Sequence, residues 1–486
     1  MTIYDKRNIS MMMDLYELTM ANGYFSQEQQ ASRVAFDVFF RKNPDDGGFA
    51  IFAGLEQILE YLEGMRFSEE DIAYLRGLNM FREPFLSYLR NFRFTGDVYA
   101  FPEGTIIYPD EPIITVVADL VQAQIIETEL LTQVNHQSLI ATKANRIVRA
   151  AAGRPVSDFG ARRAHNNDAA IYGARACLIG GVSGTATVSA GQAFDIPVGG
   201  TMAHSWVMYY QDELTAFRKF AEVYPDNCIL LVDTYDVLRS GVPNAIRVFG
   251  EMEAAGVRSK NRGIRLDSGD LAYLSREARR MLDEAGFTDA KIVVSNSLDE
   301  YTITSILEQG GRIDSFGVGE RMITARSEPV FGAVYKLCAV AGPDGVFRPR
   351  IKISETVAKI TNPGLKRVYR VYNADGKAVA DLITGQEGVD EAALRTGYRF
   401  VDPERPWKKH EFRDCTAKSL QRRVMAGGVR TEPAASVRDI AAYVRAQLGH
   451  EIWEEEQRFE NPHKHYIDMS PEYYAMKMSM LEENHG

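Results

Sequence analysis

Gly263-Ile264-Arg265-Leu266-Asp267 is a short apolar run that ends in a carboxylate, as expected for a buried strand that stops at a polar edge. Asp270 follows as a helix N-cap, and Gly286 marks the end of the helix that the spacing predicts. The apolar positions of that helix are Leu271, Leu274, Ala278 and Leu282. The stretch therefore predicts a β-strand followed by an amphipathic α-helix.

The same strand-and-helix pattern recurs along the chain from residue 154. The strand-like runs are 155–158, 180–185, 200–204, 228–233, 263–267, 291–296 and 313–317. Seven such βα units in succession are typical of a parallel sheet with helices packed on it, and they predict a closed or nearly closed TIM-like parallel α/β barrel. An open, doubly wound sheet is the alternative that this pattern leaves.

The region before the predicted barrel mixes helical and strand-like stretches. They are 11–25, 34–41, 91–119 and 127–151. We therefore predict three parts. These are an N-terminal α+β domain over 1–130, the barrel with the active site over 131–340, and a C-terminal segment over 341–486 that packs on the N-terminal domain.

The C-terminal segment carries few signals of chemistry. Its apolar spacing predicts a helix over 436–449. The acidic stretch 451–456 is interpreted as a solvated face, and His463 and His465 as an exposed pair in a tail.

Composition excludes several classes of protein. The chain has 486 residues and a net charge of −10, which argues against a nucleic-acid partner or an anionic membrane surface. No apolar run approaches the ~20 residues of a membrane span, and the N-terminus lacks a signal-peptide apolar region. Its four cysteines form no C-x-x-C pair, so neither a disulfide framework nor a cysteine metal site is expected. We expect a cytoplasmic protein.

Polar side chains recur where the predicted strands end. They are Asp158, Arg162, Arg163, Ser183, Thr185, His204, Asp233, Arg265, Asp267, Ser268, Ser295, Asn296, Gly317 and Gly319. In a parallel barrel these positions meet at one mouth. Asp233 and Asp267 are also compatible with helix caps, which is the structural alternative.

The residue types at this mouth suggest a phosphorylated sugar and a small anionic partner. The glycines of Phe316-Gly317-Val318-Gly319 let backbone N–H groups approach a phosphate. Aspartates accept hydrogen bonds from sugar hydroxyls or hold hydrated Mg²⁺, and arginines bind carboxylates or phosphates. His204 then serves as an acid–base group or as a covalent phosphate carrier.

The ordered set of motifs resembles the nicotinate phosphoribosyltransferase family over roughly residues 5–370. The matching stretches are 14–20, 158–163, 184–187, 199–205, 232–236, 264–270, 316–319, 334–337, 352–355 and 359–364. The resemblance implies transfer of phosphoribose from phosphoribosyl pyrophosphate to nicotinate, coupled to ATP hydrolysis, with Mg²⁺ held through substrate phosphates rather than by a protein cage. It also implies a homodimer with a shared active site.

The resemblance assigns a role to individual residues. His204 matches the histidine that ATP phosphorylates, with Asp233 and Asp267 as further catalytic residues. Phe159 and, from the second subunit, Tyr16 match the aromatic residues on the two faces of the pyridine ring. The substrate-binding set that it implies is Tyr16, Arg41, Phe159, Arg162, Thr185, Arg265, Ser295, Asn296, Gly317, Gly319 and Lys336.

Ala186 favours nicotinate over nicotinamide as the acceptor. The related nicotinamide enzymes carry an aspartate at this position, which would accept from a carboxamide and repel a carboxylate. Two alternatives stay open at this stage: a nicotinamide phosphoribosyltransferase, and a catalytically idle nucleotide-binding scaffold on the same fold.

Overall fold

The computed structural model describes residues 7–356, 359–403 and 405–483. The chain divides into two compact units, unit 1 with Met1–Leu139 and Val330–Gly486, and unit 2 with Ile140–Pro329. The N-terminal stretch in which we expect no signal peptide lies mostly within residues 1–6, and these are outside the described residues. Within the described part of the chain, every helix is too short or too polar to span a bilayer.

The first segment of unit 1 contains the helices and strands that the sequence predicted for this region. The elements are α1 Leu15–Ser26, β1 Arg33–Phe39, β2 Ala50–Ile51, α2 Leu55–Gly64, α3 Glu69–Gly77, α4 Glu83–Arg90, β3 Asp97–Ala100, β4 Ile106–Ile107, β5 Ile114–Asp119, α5 Leu120–Gln124 and α6 Glu127–Ala150. The strand predicted over 34–41 is β1, and the long helix predicted over 127–151 is α6, which continues into unit 2. Both predictions are confirmed.

Unit 2 alternates strands and helices. Its elements are β6 Val156–Asp158, α7 Asn167–Ile179, β7 Gly184–Thr185, α8 Val188–Phe194, α9 His204–Tyr209, α10 Glu213–Val223, β8 Asn227–Leu231, α11 Val242–Ala254, β9 Asn261–Leu266, α12 Leu271–Glu284, β10 Lys291–Ser295, α13 Glu300–Glu308, β11 Ser315–Val318 and α14 Glu320–Ile323. The strands form a parallel sheet in the order β7-β6-β11-β10-β9-β8. The predicted α/β fold with parallel strands is confirmed.

The sheet of unit 2 is a curled, open half-barrel rather than a closed barrel. It has six strands, and β7 and β8 are its two edges. The strand predicted over 200–204 was wrong, because residues 200–203 belong to no strand and His204 begins α9. Pairing stops just before this stretch, with an isolated bridge between Thr185 and Val198 and a hydrogen bond of 3.0 Å from the Gly199 N–H to the Thr185 carbonyl. Gly200 is exposed and has no side chain to bury, so it gains too little from pairing to extend the bridge into a seventh strand.

The second segment of unit 1 pairs with the first segment in one sheet. Its elements are β12 Val334–Ala341, β13 Phe347–Pro349, β14 Arg367–Tyr372, β15 Ala378–Thr384, α15 Glu391–Thr396, β16 Tyr398–Val401, β17 Lys409–Phe412, β18 Thr416–Ser419, β19 Arg422–Ala426, β20 Val429–Arg430, α16 Val437–Ala446, β21 Ile467–Met469 and α17 Pro471–Glu483. The strands β12 and β19 join β1, β5 and β3 in a seven-stranded sheet, whose order is β13-β12-β1-β5-β3-β19-β20. A second sheet has the order β17-β16-β21-β15-β14-β18. The helix predicted over 436–449 is confirmed as α16.

A buried charge network holds the C-terminal residues in unit 1. Arg370 on β14 donates two hydrogen bonds, of 2.8 and 2.6 Å, to Asp381 on β15. The His465 ring stacks on Tyr108 at 4.0 Å between centroids. Its Nδ1 lies 3.1 Å from Glu456 and its Nε2 lies 3.5 Å from Asp381.

The interpretation of His465 as part of an exposed tail was therefore wrong, because its side chain is buried, whereas His463 is exposed as predicted. The interpretation of 451–456 as a solvated face holds for 453–455, which are exposed, but not for Ile452 and Glu456, which are buried. Sequence periodicity could not show that β21 pairs with β15 and carries this segment into the interior. Burial alone would lower the pKa of His465, but hydrogen bonds and charges from Asp381 and Glu456 outweigh it and raise the pKa to about 9.

We predict that His465→Gln destabilises unit 1 by about 3 kcal/mol near pH 7, because Glu456 loses its buried cationic partner and Asp381 keeps only Arg370. The folded-state pKa of about 9 lies above the ordinary 6.5, so the stabilisation is complete below about pH 6.5 and is lost as the pH rises through 9. Urea unfolding at both ends of this range measures the difference, which should shrink above pH 9. His463→Gln, at an exposed position, is the matched control. Equal stabilities of the two variants would contradict the role of the network.

Candidate active site

The His204 imidazole lies between two carboxylates. His204 is the first residue of α9. Its Nδ1 lies 3.1 Å from Thr234 Oγ1. Its Nε2 lies 3.9 Å from Asp233 Oδ1 and 3.8 Å from Asp267 Oδ2. The ring is therefore held at Nδ1 by Thr234. Because 38% of the side chain is exposed, the other side of the ring is open to a ligand.

Asp233 and Asp267 meet because β8 and β9 are neighbours in the parallel sheet and both residues follow the carboxyl ends of these strands. Asp233 Oδ2 accepts hydrogen bonds from the Asp267 backbone N–H at 3.2 Å and from Ser268 Oγ at 2.5 Å. Asp233 Oδ1 is buried and has no hydrogen-bond partner among the described residues. The helix caps in these loops are Asp236 and Asp270, so the alternative that Asp233 and Asp267 serve as caps is excluded.

Arg265 and Phe159 form a second part of the site. Arg265 Nη1 donates to Thr201 Oγ1 at 2.7 Å and to the Met202 carbonyl at 3.1 Å. Its guanidinium lies 3.6 Å from Asp267 Oδ1 and 5.9 Å from the Phe159 ring centroid. Burial lowers the pKa of Arg265, and the charge of Asp267 opposes that shift. A planar cation beside an aromatic ring suits a flat, anionic ligand.

Thr185 stabilises the turn that carries Phe159. Its hydroxyl donates to the buried Asp158 at 2.7 Å and accepts from the Thr187 backbone N–H at 3.0 Å. Asp158 also accepts from the Gly160 N–H at 2.8 Å, and burial raises its pKa. Because its hydroxyl is occupied in this way, Thr185 positions Phe159 from within the fold.

Gly317 and Gly319 lie directly against Phe159. A Cβ at position 317 would lie 2.3 Å from Phe159 Cε2, and one at 319 would lie 3.1 Å from the Phe159 carbonyl. The absence of a side chain at 317 is therefore what allows the ring to rest on β11.

The structure brings other sequence-predicted residues close to this cluster. Ser295, at the end of β10, donates to Asp267. Asn296 follows with a φ of 83° in the left-handed region, which asparagine tolerates better than most residues. Arg162 is exposed, and its charge acts on Arg265.

Three predicted site residues belong to unit 1. Tyr16 is 43% exposed on α1, and the partial burial of its side chain, together with the charge of Glu127, raises its pKa. Lys336 Nζ lies 3.5 Å from Glu127. The Arg41 guanidinium lies 5.5 Å from the Phe39 ring centroid. Their participation in the site stays a prediction.

Sequence reasoning gave no role to Thr234 and Thr201, which contact His204 and Arg265 respectively. Both lie in stretches that were already singled out. Thr234 directly follows Asp233 at a strand end, so the rule that selected Asp233 could also have selected Thr234.

The fold and the cluster define an α/β protein with a polar site at the carboxyl ends of parallel strands. Three family models match it. They are the nicotinate phosphoribosyltransferase N-terminal domain over residues 11–135, the nicotinate phosphoribosyltransferase family over 155–341, and its C-terminal domain over 365–477. The chain belongs to the nicotinate phosphoribosyltransferase family.

Relatives of known name cover most of the chain. A nicotinate phosphoribosyltransferase from Bacillus subtilis is 45% identical over 481 residues, which is 98% of this chain and 96% of the relative. A nicotinate phosphoribosyltransferase from Mycobacterium tuberculosis is 45% identical over 74% of each chain. The crystal structure of human nicotinic acid phosphoribosyltransferase superimposes with a TM-score of 0.84 at 27% identity, over 96% of this chain and 99% of that one.

We predict that Gly317→Ala destabilises the protein by roughly 1–3 kcal/mol, because the added methyl group forces the Phe159 ring off β11. In a Phe159→Ala background the same substitution should cost much less, so a double-mutant cycle in urea isolates the contact. Gly250→Ala, where a Cβ meets no heavy atom within 4 Å, is the control and should be neutral or stabilising. Equal costs in both backgrounds would refute the contact.

Proposed function

We propose that the protein transfers phosphoribose from phosphoribosyl pyrophosphate to nicotinate, releasing pyrophosphate and nicotinate mononucleotide for NAD biosynthesis, and that ATP phosphorylates His204 during the cycle. The observation that carries the proposal is the His204 imidazole lying within 4 Å of both Asp233 and Asp267. Family membership supports the same activity.

Arg265 and Phe159 would bind the nicotinate. The guanidinium supplies hydrogen-bond donors to the carboxylate, and the ring offers one face for stacking on the pyridine. Arg265 is itself held by Thr201 and Met202, so little side-chain entropy remains to be lost on binding.

Asp267 and Asp233 would act on the sugar. Displacement at the anomeric carbon develops oxocarbenium-like positive charge, which nearby carboxylates stabilise. Asp267 is the residue proposed for the ribose hydroxyls, and Gly317 and Gly319 for the 5′-phosphate. Arg41, Arg162 and Lys336 are proposed for the pyrophosphate or the phosphates of ATP.

A Mg²⁺ ion fits this site. Asp233 Oδ1 is buried without a hydrogen-bond partner among the described residues, and Asp267 Oδ2 lies on the same side of the imidazole. Carboxylate oxygens are the ligands that Mg²⁺ prefers, and the ion when bound would neutralise the phosphate oxygens of the substrates.

His204 would react through Nε2. Its Nδ1 is occupied by Thr234, whereas Nε2 faces the carboxylates and the open side. In the neutral imidazole with the proton on Nδ1, the Nε2 lone pair forms the bond to the γ-phosphorus of ATP. The bond from that phosphorus to the bridging oxygen breaks, and ADP leaves with the electron pair. The Nδ1–H then donates to Thr234.

The exposed apolar face of α1 supports a homodimer with a shared active site. It includes Met12, Leu15, Tyr16 and Met20 at or near the start of the helix. We propose that the Tyr16 of one subunit covers the pyridine bound by the other. The cytoplasm is the proposed compartment, since all four cysteines are unpaired.

We predict that γ-labelled ATP labels His204 and that His204→Asn abolishes the label and uncouples ATP use, leaving a weaker transfer to nicotinate. Thr234→Val should slow labelling by roughly tenfold, because Nδ1 loses its hydrogen-bond partner, and Thr234→Ser should restore it. Thr304→Val, which removes a hydroxyl bonded to the Glu300 carbonyl in α13, is the control for folding. Failure of the wild-type protein to label would refute the phosphohistidine.

We predict a clear preference for nicotinate over nicotinamide in initial rates at equal concentrations. Ala186→Asp should lower the rate with nicotinate by at least tenfold, because a carboxylate near a bound carboxylate is repulsive. Ala186→Asn keeps the size without the charge and should be affected less. A wild-type preference for nicotinamide would overturn the assignment of the acceptor.

A further inference from the structure

The first turn of α1 contains a buried glutamate next to the exposed Tyr16. Glu17 is 0% exposed, although its neighbours Leu15 and Tyr16 are both exposed. Glutamates are almost never fully buried unless their charge has a partner, because a carboxylate loses its hydration in the interior. The contacts of Glu17 therefore identify what a carboxyl group does at this position.

Three donors converge on one oxygen of Glu17. Its Oε1 accepts hydrogen bonds from the Asp14 backbone N–H at 3.2 Å, from the Thr128 backbone N–H at 3.2 Å and from the Thr128 hydroxyl. The Asp14 N–H also donates to Thr128 Oγ1 at 3.2 Å. Thr128 lies in the first turn of α6, where backbone N–H groups have no acceptor within their own helix. Asp14, Glu17 and Thr128, which we call the clamp, therefore join the start of α1 to the start of α6.

The second oxygen of Glu17 takes no part in the clamp. Oε2 is buried and has no hydrogen-bond partner among the described residues. In the same part of the chain Glu17 forms no ion pair, and Lys336 lies 3.5 Å from Glu127 instead. The carboxyl group is thus bonded at one oxygen only, and its charge is not balanced by a cation.

The groups around Glu17 come from several elements of unit 1. The helix α4 packs near the other end of α1, at Phe25, and α5, which also packs on α1, has no ionisable side chain. The charged and titratable groups that face Glu17 are Asp14 and Tyr16 on α1, Glu127 on α6, Tyr61 on α2 and Tyr335 on β12. All of them are acidic, so each adds negative charge to this environment when it is ionised.

This environment favours the neutral form of Glu17. Burial raises its pKa to about 7, hydrogen bonds from Thr128 and Asp14 act in the opposite direction, and the charge of Glu127 raises the pKa further. In an open first turn the carboxyl group would be in water, with its ordinary pKa of 4.5. The stabilisation of the closed clamp is therefore complete below about pH 4.5 and is lost as the pH rises through 7.

The clamp acts on Tyr16 in two ways. The backbone of Tyr16 lies between Asp14 and Glu17, and both of these are bonded to Thr128. Burial raises the pKa of the Tyr16 hydroxyl, and so do the charge and hydrogen bond of Glu127, the residue before Thr128. The start of α6 thus holds both the backbone and the hydroxyl of Tyr16.

We propose that Glu17 is a positioning residue, which holds Tyr16 in place through the clamp while it is neutral and releases the first turn of α1 when it is ionised. This inference rests on the role proposed above for Tyr16 at the pyridine ring of nicotinate. It makes the affinity for nicotinate dependent on pH through a residue that does not touch the substrate.

Hydrogen exchange of the full-length protein, followed by mass spectrometry, tests the clamp. Opening of the first turn should increase roughly tenfold between pH 6 and pH 8 in the wild-type protein, because ionised Glu17 favours the open state. The protection factors of peptides that cover residues 14–21 should fall by this factor after the intrinsic exchange rates are divided out. Glu17→Gln keeps an acceptor oxygen without the charge, so its protection should not change with pH. Glu70→Gln, at an exposed position in the first turn of α3, is the matched control and should behave like the wild-type protein.

Initial-rate kinetics test the effect on Tyr16. The KM for nicotinate of the wild-type protein, divided by that of Glu17→Gln, should rise by up to about tenfold between pH 6 and pH 8, whereas the same ratio of kcat should change by less than about twofold. Division by the variant removes the titration of other groups in the site. Thr128→Val, which removes one donor of the clamp, should raise the KM severalfold at pH 6, and Thr128→Ser should restore it.

Protection that does not depend on pH in the wild-type protein, or that depends on it equally in Glu17→Gln, would overturn the proposal. A constant KM ratio together with changing protection would also overturn it, because Glu17 would then stabilise α1 without positioning Tyr16. An absence of nicotinate transfer by the wild-type protein would refute the proposed function, whereas the exchange experiment would still show whether Glu17 controls the first turn of α1.

Discussion

The parallel pairing of β8 with β9 is the constraint on which the site depends. It places the ends of two neighbouring strands side by side. The Asp267 backbone N–H and the Ser268 hydroxyl, which follow β9, therefore both donate to Asp233, which follows β8. One carboxylate oxygen is fixed by these bonds, and the other is left to face the imidazole. Because strand pairing, rather than a flexible loop, sets the spacing of the two aspartates, the cluster is organised before any ligand arrives.

Much of unit 2 could be predicted from the sequence, because polar residues lie at or just after the ends of its strands and three of its helices begin at a capping aspartate, Asp212, Asp270 and Asp299. The seventh strand could not be predicted correctly. A run such as 200–204 resembles a strand end, but whether it pairs depends on what it would bury, and this is a property of the folded sheet. The grouping of His204 with Asp233 and Asp267 was predictable, whereas the bond to Thr234 was not, since hydroxyl orientation depends on the local turn.

The interior of unit 1 could be predicted from the sequence much less well than the site of unit 2. The secondary structure of its first segment follows the sequence patterns, but the strands of its second segment and the packing of its interior do not. The buried groups come from segments far apart in the chain, which are Tyr108, Arg370 with Asp381, and Glu456 with His465. The acidic composition of 451–456 predicts exposed side chains. Only the pairing of β21 with β15 explains why the side chains of Glu456 and of the nearby His465 are buried. Long-range pairing of this kind leaves no periodic signal.

The position of β21 has a consequence for how the chain reaches its native state. This strand, residues 467–469, lies inside its sheet between β15 and β16, although it follows every other strand of that sheet in the chain. The sheet therefore has a gap until residues 467–469 have been synthesised, whereas every strand of unit 2 is by then already available. A nascent chain that stalls before residue 467 would therefore present unpaired strand edges to chaperones and proteases.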